Sequence, residues 1–166
     1  MDTFKILNLE KYSDERGVFV RTFDHSWLNF DTQQSNISFN PTINTLRGMH
    51  FQKSGPPENK IITLITGSIF IAVVDLRQAS SDFLNPKSIS LDLPLTHSLY
   101  IPSGFATGWI STSENTTLQY LMSAKYEDCT YGGIRFDDPS LDIDWPSQPS
   151  VISSQDINWP KLEFEK

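Results

Sequence analysis

The chain offers few groups for general acid–base or nucleophilic work: three histidines, His25, His50 and His97, and one cysteine, Cys129. His50 stands out by its neighbours. It lies in Leu46-Arg47-Gly48-Met49-His50-Phe51-Gln52, where strand alternation puts Gly48, His50 and Gln52 on one face. A glycine beside an imidazole leaves room for a ligand to approach the backbone. His25 falls in a short candidate helical turn and His97 in a proline-flanked loop, and neither has a suggestive neighbour. A single cysteine excludes an internal disulfide and a cysteine-based zinc cluster. No Gly-x-Ser-x-Gly elbow, Gly-x-x-x-x-Gly-Lys-Ser loop or strand-following Gly-x-Gly-x-x-Gly occurs, which argues against hydrolase, nucleotide-hydrolysing and dinucleotide-binding chemistry. The pair Asp137-Asp138 precedes Pro139 and reads as a solvated turn rather than a glycosidase carboxylate pair.

Strands must position these groups. Ten prolines and eight glycines are spread between short apolar runs, the spacing of many strands joined by turns. Strands are expected at 18–22, 34–39, 60–66, 68–75, 87–93, 98–101, 106–111 and 117–124. Ile61–Ile65 and Ile69–Val74 are apolar at consecutive positions, so both faces should be buried. Two packed sheets, or a sheet covered at a subunit interface, satisfy that pattern. Asp24–Phe30 is expected to form one or two helical turns, with Asp24 as N-cap and Trp27, Leu28 and Phe30 inward. The proline-rich C-terminal segment 137–166 should wrap over the barrel, held by Trp145 and Trp159. The fold class is all-β.

The 166 residues amount to one domain, enough to bury roughly 70% of the unfolded surface around one core. With 38% hydrophobic and 20% charged residues, the composition is that of an ordinary globular protein. No apolar run approaches the ~20 residues of a membrane span. The first residues lack the layout of a signal peptide, so a cytoplasmic protein is expected. Twenty acids against 13 bases give a net charge of −7. An acidic chain without a basic stripe is a poor nucleic-acid binder, yet a few placed arginines could hold an anionic small molecule.

The spacing also resembles the cupins, small double-sheet barrels that often hold a metal through His-x-His and a later histidine after Pro-x-Gly. Here the pair is His50-Phe51-Gln52, and Pro102-Ser103-Gly104-Phe105-Ala106-Thr107 ends in threonine. One imidazole does not make the three-ligand site of a catalytic metal, so no metal or other cofactor is expected.

A closer resemblance runs from about Asp14 to Asp156. Asp14-Glu15-Arg16-Gly17-Val18-Phe19, Gln34-Ser35-Asn36-Ile37-Ser38 and the Leu46–Gln52 segment are followed by Asn59-Lys60, Gly67-Ser68-Ile69-Phe70, Val74-Asp75-Leu76-Arg77 and Ile101–Ala106. Ile143-Asp144-Trp145-Pro146 and Ser153-Ser154-Gln155-Asp156 complete the series. In order and spacing these resemble the dTDP-4-dehydrorhamnose 3,5-epimerases, metal-independent cupins of bacterial deoxysugar synthesis. The resemblance implies a cupin-type jelly-roll barrel of two antiparallel sheets with short peripheral helices, and a homodimer in which an N-terminal strand lies across the partner. It implies epimerisation of a nucleoside-diphosphate 4-keto-6-deoxy sugar, feeding glycans such as lipopolysaccharide.

Such chemistry needs a base on one face of the sugar, a group to hold the enolate oxygen and an acid on the other face. By the resemblance, His50 is the base and Asp156 its orienting partner, as in other His–carboxylate dyads. Lys60 is the lysine near the enolate, and Tyr126 the tyrosine that returns the proton. Arg16, Gln34, Asn36 and Arg47 match positions that hold the nucleotide, diphosphate and sugar. Thr107 stands where the family usually has a substrate-facing histidine. Arg21 and Tyr131 stand where it has glutamates near the nucleotide. These changes imply an altered nucleotide or pose. A sugar-nucleotide-binding cupin without epimerase activity, or an isomerase of a related keto sugar, is the alternative.

Overall fold

Two antiparallel sheets face each other across the main core of the computed structural model, which describes residues 2–28 and 30–162. The strands are β1 (Lys5–Asn8), β2 (Lys11–Asp14), β3 (Gly17–Val20), β4 (Gln34–Asn40), β5 (Thr45–Ser54), β6 (Lys60–Thr66) and β7 (Ile69–Asp75). They continue with β8 (Lys87–Leu91), β9 (His97–Ile101), β10 (Phe105–Ser111), β11 (Thr116–Met122), β12 (Thr130–Gly133) and β13 (Val151–Ile152). One sheet runs β1-β9-β6-β11-β4 and the other β12-β5-β10-β7-β8, with β13 added parallel to β5. The β2–β3 hairpin forms a small sheet of its own. This is the all-β double-sheet architecture that the cupin resemblance implies.

Strand alternation sorts the side chains. Ile62 and Leu64 of β6, Ile71 and Val73 of β7, Leu99, Trp109 and Leu118 fill the space between the sheets. Burying each aliphatic side chain contributes about 1.5–3 kcal/mol. The opposite face of β7 is buried too: Ala72 and Val74 pack with Met49, Ala106, Ile134 and Leu141. Ile61, on the other face of β6, packs with Phe30 and Tyr100. Both consecutive apolar runs are therefore covered from within the chain, and neither requires a subunit interface. Exposed apolar residues lie elsewhere, among them Val18 and Phe19 on the hairpin and Ile37 and Phe39 on the edge strand β4.

Several local expectations need correction. The segment after Asp24 forms only a single 3-10 turn, His25–Trp27, in which the Asp24 carboxylate accepts from Ser26 N at 2.9 Å. Trp27 and Leu28 are only half-buried, Asn29 lies outside the described residues, and Phe30 is buried. His97 opens β9 opposite Asn8 rather than lying in a loop. Asp138 is not solvated: it is 4% exposed and accepts from Ser140 N at 2.9 Å and from Leu162 N. From Ile134 to Leu162 the chain lies against the outer face of the β5/β10/β7 sheet. Trp145 packs edge-on against Phe70 and donates to the Phe136 carbonyl at 2.8 Å. Residues 163–166 of the segment expected to wrap the barrel lie outside the described residues.

Candidate active site

A break in the register of β5 sets the site. Thr107 of β10 pairs with His50 and Trp109 with Arg47, so Gly48 and Met49 together oppose Gly108. Such a bulge re-aims the side chains on either side of it. Gly48 has φ +124°, and a Cβ there would lie 2.4 Å from the Gly108 Cα, so only glycine fits. Met49 turns into the outer core. Regular alternation puts Gly48 on the face of His50; the bulge puts Arg47 there instead, and both side chains line one cavity of about 410 Å³.

β4, β6, β10 and β11 supply the other walls. Asn36 comes from β4, Lys60 from the start of β6, Thr107 from β10, and Tyr126 from a 3-10 turn at Tyr126–Asp128. An adjoining hollow of about 270 Å³ shares Asn36, His50, Lys60 and Tyr126 and adds Gln34 and Tyr131. Among the described residues no Asp or Glu lines either space, whereas Arg47, Lys60 and His50 do. In a chain of net charge −7, this is a local basic pocket suited to an anion.

Asp156 reaches His50 from the C-terminal segment. β13 pairs with Thr45 and Leu46 of β5, and the short helix α1 (Ser154–Ile157) follows, with Ser153 Oγ accepting from Asp156 N at 2.9 Å. His50 Nε2 lies 2.6 Å from Asp156 Oδ1. Asp156 Oδ2 accepts from Gly48 N at 3.2 Å, and Oδ1 also accepts from Trp159 Nε1 at 3.1 Å. Burial raises the pKa of this carboxyl, but the hydrogen bonds from His50, Gly48 and Trp159 outweigh it and hold the group below the usual carboxylate range. The arrangement can fix the imidazole ring and stabilise its cationic form.

Lys60 is only 14% exposed at its side chain, and its Nζ lies 3.3 Å from Oε1 of the buried Glu58. Tyr131 donates its hydroxyl to Glu58 Oε2 and stacks on Tyr126 at 5.1 Å between centroids. Burial, followed by the Glu58 carboxylate, pushes the Tyr131 phenol far up. Gln34 accepts from Tyr126 N at 2.9 Å and donates to Asn36 Oδ1 at 3.0 Å, tying β4 to the Tyr126 turn. Arg47 Nε donates to Asn40 Oδ1 at 2.9 Å. Trp109 Nε1 donates to Tyr120 OH at 2.7 Å on the cavity wall, and burial pushes that phenol up to about 12. Thr107 is 8% exposed, and its hydroxyl has no partner.

Two expected substrate contacts do not join this cavity. Arg16, 84% exposed at its side chain, pairs with Asp14 on the β2–β3 hairpin, and Arg21 pairs with Asp24 at 3.3 Å. Arg16 lines a hollow of the hairpin instead. The hairpin pairs only with itself, so within one chain it does not carry these guanidinium groups to His50. Conversely, Glu58 was not among the expected site residues, and Trp159 was expected only as an anchor. The signal for Glu58 was its Glu-x-Lys spacing, which puts Glu58 and Lys60 on one face of an extended chain.

The donor set does not suit a metal ion. Among the described residues no group of three His, Cys, Asp or Glu side chains is placed to hold one. Gln52, in the second place of the His-x-His pattern, spends its amide within the chain, donating to the Pro56 carbonyl at 2.7 Å and accepting from Glu58 N at 2.9 Å.

Comparison with known proteins completes the description. A family model described as dTDP-4-dehydrorhamnose 3,5-epimerase matches residues 1–163. The chain is 34% identical to the dTDP-4-dehydrorhamnose 3,5-epimerase of Methanothermobacter thermautotrophicus, over 98% of this chain and 91% of that one. It is 31% identical to the dTDP-4-dehydrorhamnose 3-epimerase of Streptomyces niveus, over 89% of this chain and 73% of that one. Among solved structures, a dTDP-4-dehydrorhamnose 3,5-epimerase of Bacillus anthracis with TDP and PPi bound aligns with a TM-score of 0.88 at 28% identity, covering 96% of this chain and 94% of that one. Sequence, fold and the span of the family match agree, and the chain belongs to the dTDP-4-dehydrorhamnose 3,5-epimerase family.

Proposed function

We propose that the chain inverts one or both carbons flanking the ketone of a dTDP-linked 4-keto-6-deoxy sugar, in deoxysugar synthesis for glycans such as lipopolysaccharide. The observation that carries this reading is the His50–Asp156 pair opening onto a cavity that Lys60 and Tyr126 also line. The ketone acidifies the hydrogens on its neighbouring carbons. His50 removes one as a proton, and Asp156 stabilises the imidazolium that forms. Lys60 holds the oxygen as it takes up negative charge. Tyr126 returns a proton to the opposite face, which inverts the carbon. Arg47 meets the diphosphate or the sugar, its planar fork donating two hydrogen bonds at once. Gln34 and Asn36 orient the substrate, and Tyr131 and Thr107 border it.

The working form we propose is a cytoplasmic homodimer. Val18, Phe19, Ile37 and Phe39 are all more than half exposed, which suits burial against a second copy. A hairpin laid across the partner would bring Arg16 and Arg21 to the partner's cavity. The chain is 18.9 kDa, so sedimentation should give about 38 kDa, twice that mass; a monomer would overturn this arrangement.

The test of function is proton exchange. In heavy water, dTDP-4-keto-6-deoxyglucose should gain deuterium beside its ketone, read by NMR. Label at both flanking carbons means a 3,5-epimerase, and label at one a mono-epimerase. No label with this substrate or its CDP and GDP counterparts would overturn the reading.

A further inference from the structure

Glu58 has no part in the reaction as described, yet it lies directly behind it. It is 2% exposed, and a buried carboxylate is costly unless its charge is answered. Oε2 accepts the Tyr131 hydroxyl, and Glu58 N donates to Gln52 Oε1 at 2.9 Å, which fixes the residue at both ends. Oε1 has no hydrogen-bond partner of good alignment. What it faces is the Lys60 ammonium at 3.3 Å. Lys60 in turn lines both hollows at His50. The carboxylate is thus held by Tyr131 at one oxygen, with the other left for the lysine.

We propose that Glu58 is a positioning residue that anchors the Lys60 ammonium at the cavity wall, with Tyr131 orienting the carboxylate for that task. The role in turnover rests on the reading of Lys60 given above; the pairing itself does not. Lysine has four rotatable carbons in its stem and no fixed fork, so an ammonium meant to meet one developing oxygen gains from a second, permanent contact.

The first measurement needs no substrate. The free protein is labelled briefly with acetic anhydride at pH 8, and Lys60 modification is read by peptide mass spectrometry, with Lys161 of the same molecule as reference. In Glu58→Gln, Lys60 should react about fivefold faster than in the wild type, since the contact that holds its amino group against the buried carboxylate is weakened and the group is freed to meet the reagent. An unchanged rate overturns the proposal. Tyr131→Phe keeps the carboxylate but loosens it and should give an intermediate rate. If Glu58→Gln does not fold, a wild-type rate in Tyr131→Phe overturns the proposal in its place.

The second measurement is turnover. Glu58→Gln should lower kcat about tenfold while KM changes less than twofold, a split that general loosening of the fold would not produce. Unchanged kcat in an active enzyme overturns the positioning role. If the wild type exchanges no proton with keto sugars while Lys60 labelling still rises in Glu58→Gln, the epimerase reading fails and the pairing stands. Normal exchange with unchanged labelling overturns the pairing alone.

Discussion

His50 Nε2 and Asp156 Oδ1 are 2.6 Å apart although 106 positions separate the two residues in the chain. The aspartate is held independently of the histidine, by Gly48 N, Trp159 Nε1 and the Ser153 cap. Removing the histidine therefore leaves the aspartate in place, which makes the pair open to dissection by substitution.

His50→Asn is expected to lower the rate of deuterium incorporation by about 10²–10⁴-fold, the usual contribution of a positioned base, with circular dichroism and Tm close to the wild type. Asp156→Asn should cost about 100-fold or more, because the amide cannot stabilise an imidazolium. Since the carboxyl lies below the usual carboxylate range, it stays ionised at neutral and mildly acidic pH.

Thr107→Val removes a hydroxyl that has no partner in the free protein. Deleting a buried, unpaired polar group is neutral or favourable for folding. The variant should match or exceed the wild-type Tm while losing about tenfold in kcat/KM if the hydroxyl meets the sugar, as proposed. Unchanged kinetics would remove Thr107 from the substrate contacts.

Asp75 governs stability away from the site. Burial alone would raise its carboxyl, but hydrogen bonds from Arg77 and Ser80 bring it down to about 2 from 3.8. At ~1.4 kcal/mol per unit this corresponds to about 2 kcal/mol of folding stability at pH 7. A depressed pKa stabilises above its unfolded value and loses that stabilisation as pH falls through the folded one. The gap between wild type and Asp75→Asn in urea denaturation should be about 2 kcal/mol at neutral pH and close steadily from about pH 4 to pH 2.

The two glycines that face each other at the bulge should respond unequally. Gly48→Ala sets a methyl 2.4 Å from the Gly108 Cα and 2.8 Å from the Thr107 carbonyl oxygen, at a φ of +124°. Backbone cannot step aside, so a loss of about 3 kcal/mol or more is expected. Gly108→Ala meets chiefly the Met49 sulfur at 2.5 Å, a flexible side chain that can turn. Thermal denaturation should show a loss of about 1 kcal/mol there.

Much of this fold is legible in sequence because its main strands announce themselves. Lys60–Thr66 and Ile69–Asp75 are apolar and β-branched-rich, and the observed β6 and β7 cover those stretches. β1, β2, β12 and β13 are four residues or fewer, too short for a period to show. At the site, motif order named His50, Lys60, Tyr126 and Asp156 as a group, and the structure brings these side chains together. Register was not legible. A bulge adds one residue to one strand without any change of composition, so Arg47 and Gly48 exchange places on the strand face. Glu58 was hidden by burial, since a carboxylate beside a lysine reads as a surface pair until its exposure is known. Arg16 and Arg21 illustrate the reverse limit, in that motif order does not reveal that their hairpin stands apart from His50 within one chain.

The parallel pairing of β13 with β5 has a mechanical consequence. β5 carries His50 directly, and through β13 and the turn of α1 it carries Asp156 as well, with Gly48 N bonded to the same carboxylate. Were the two sheets to shift against each other, both members of the pair would travel with one strand. Their separation is insulated from that motion, while the distance across the cavity to Lys60 and Asn36, which ride on the opposite sheet, takes up the strain.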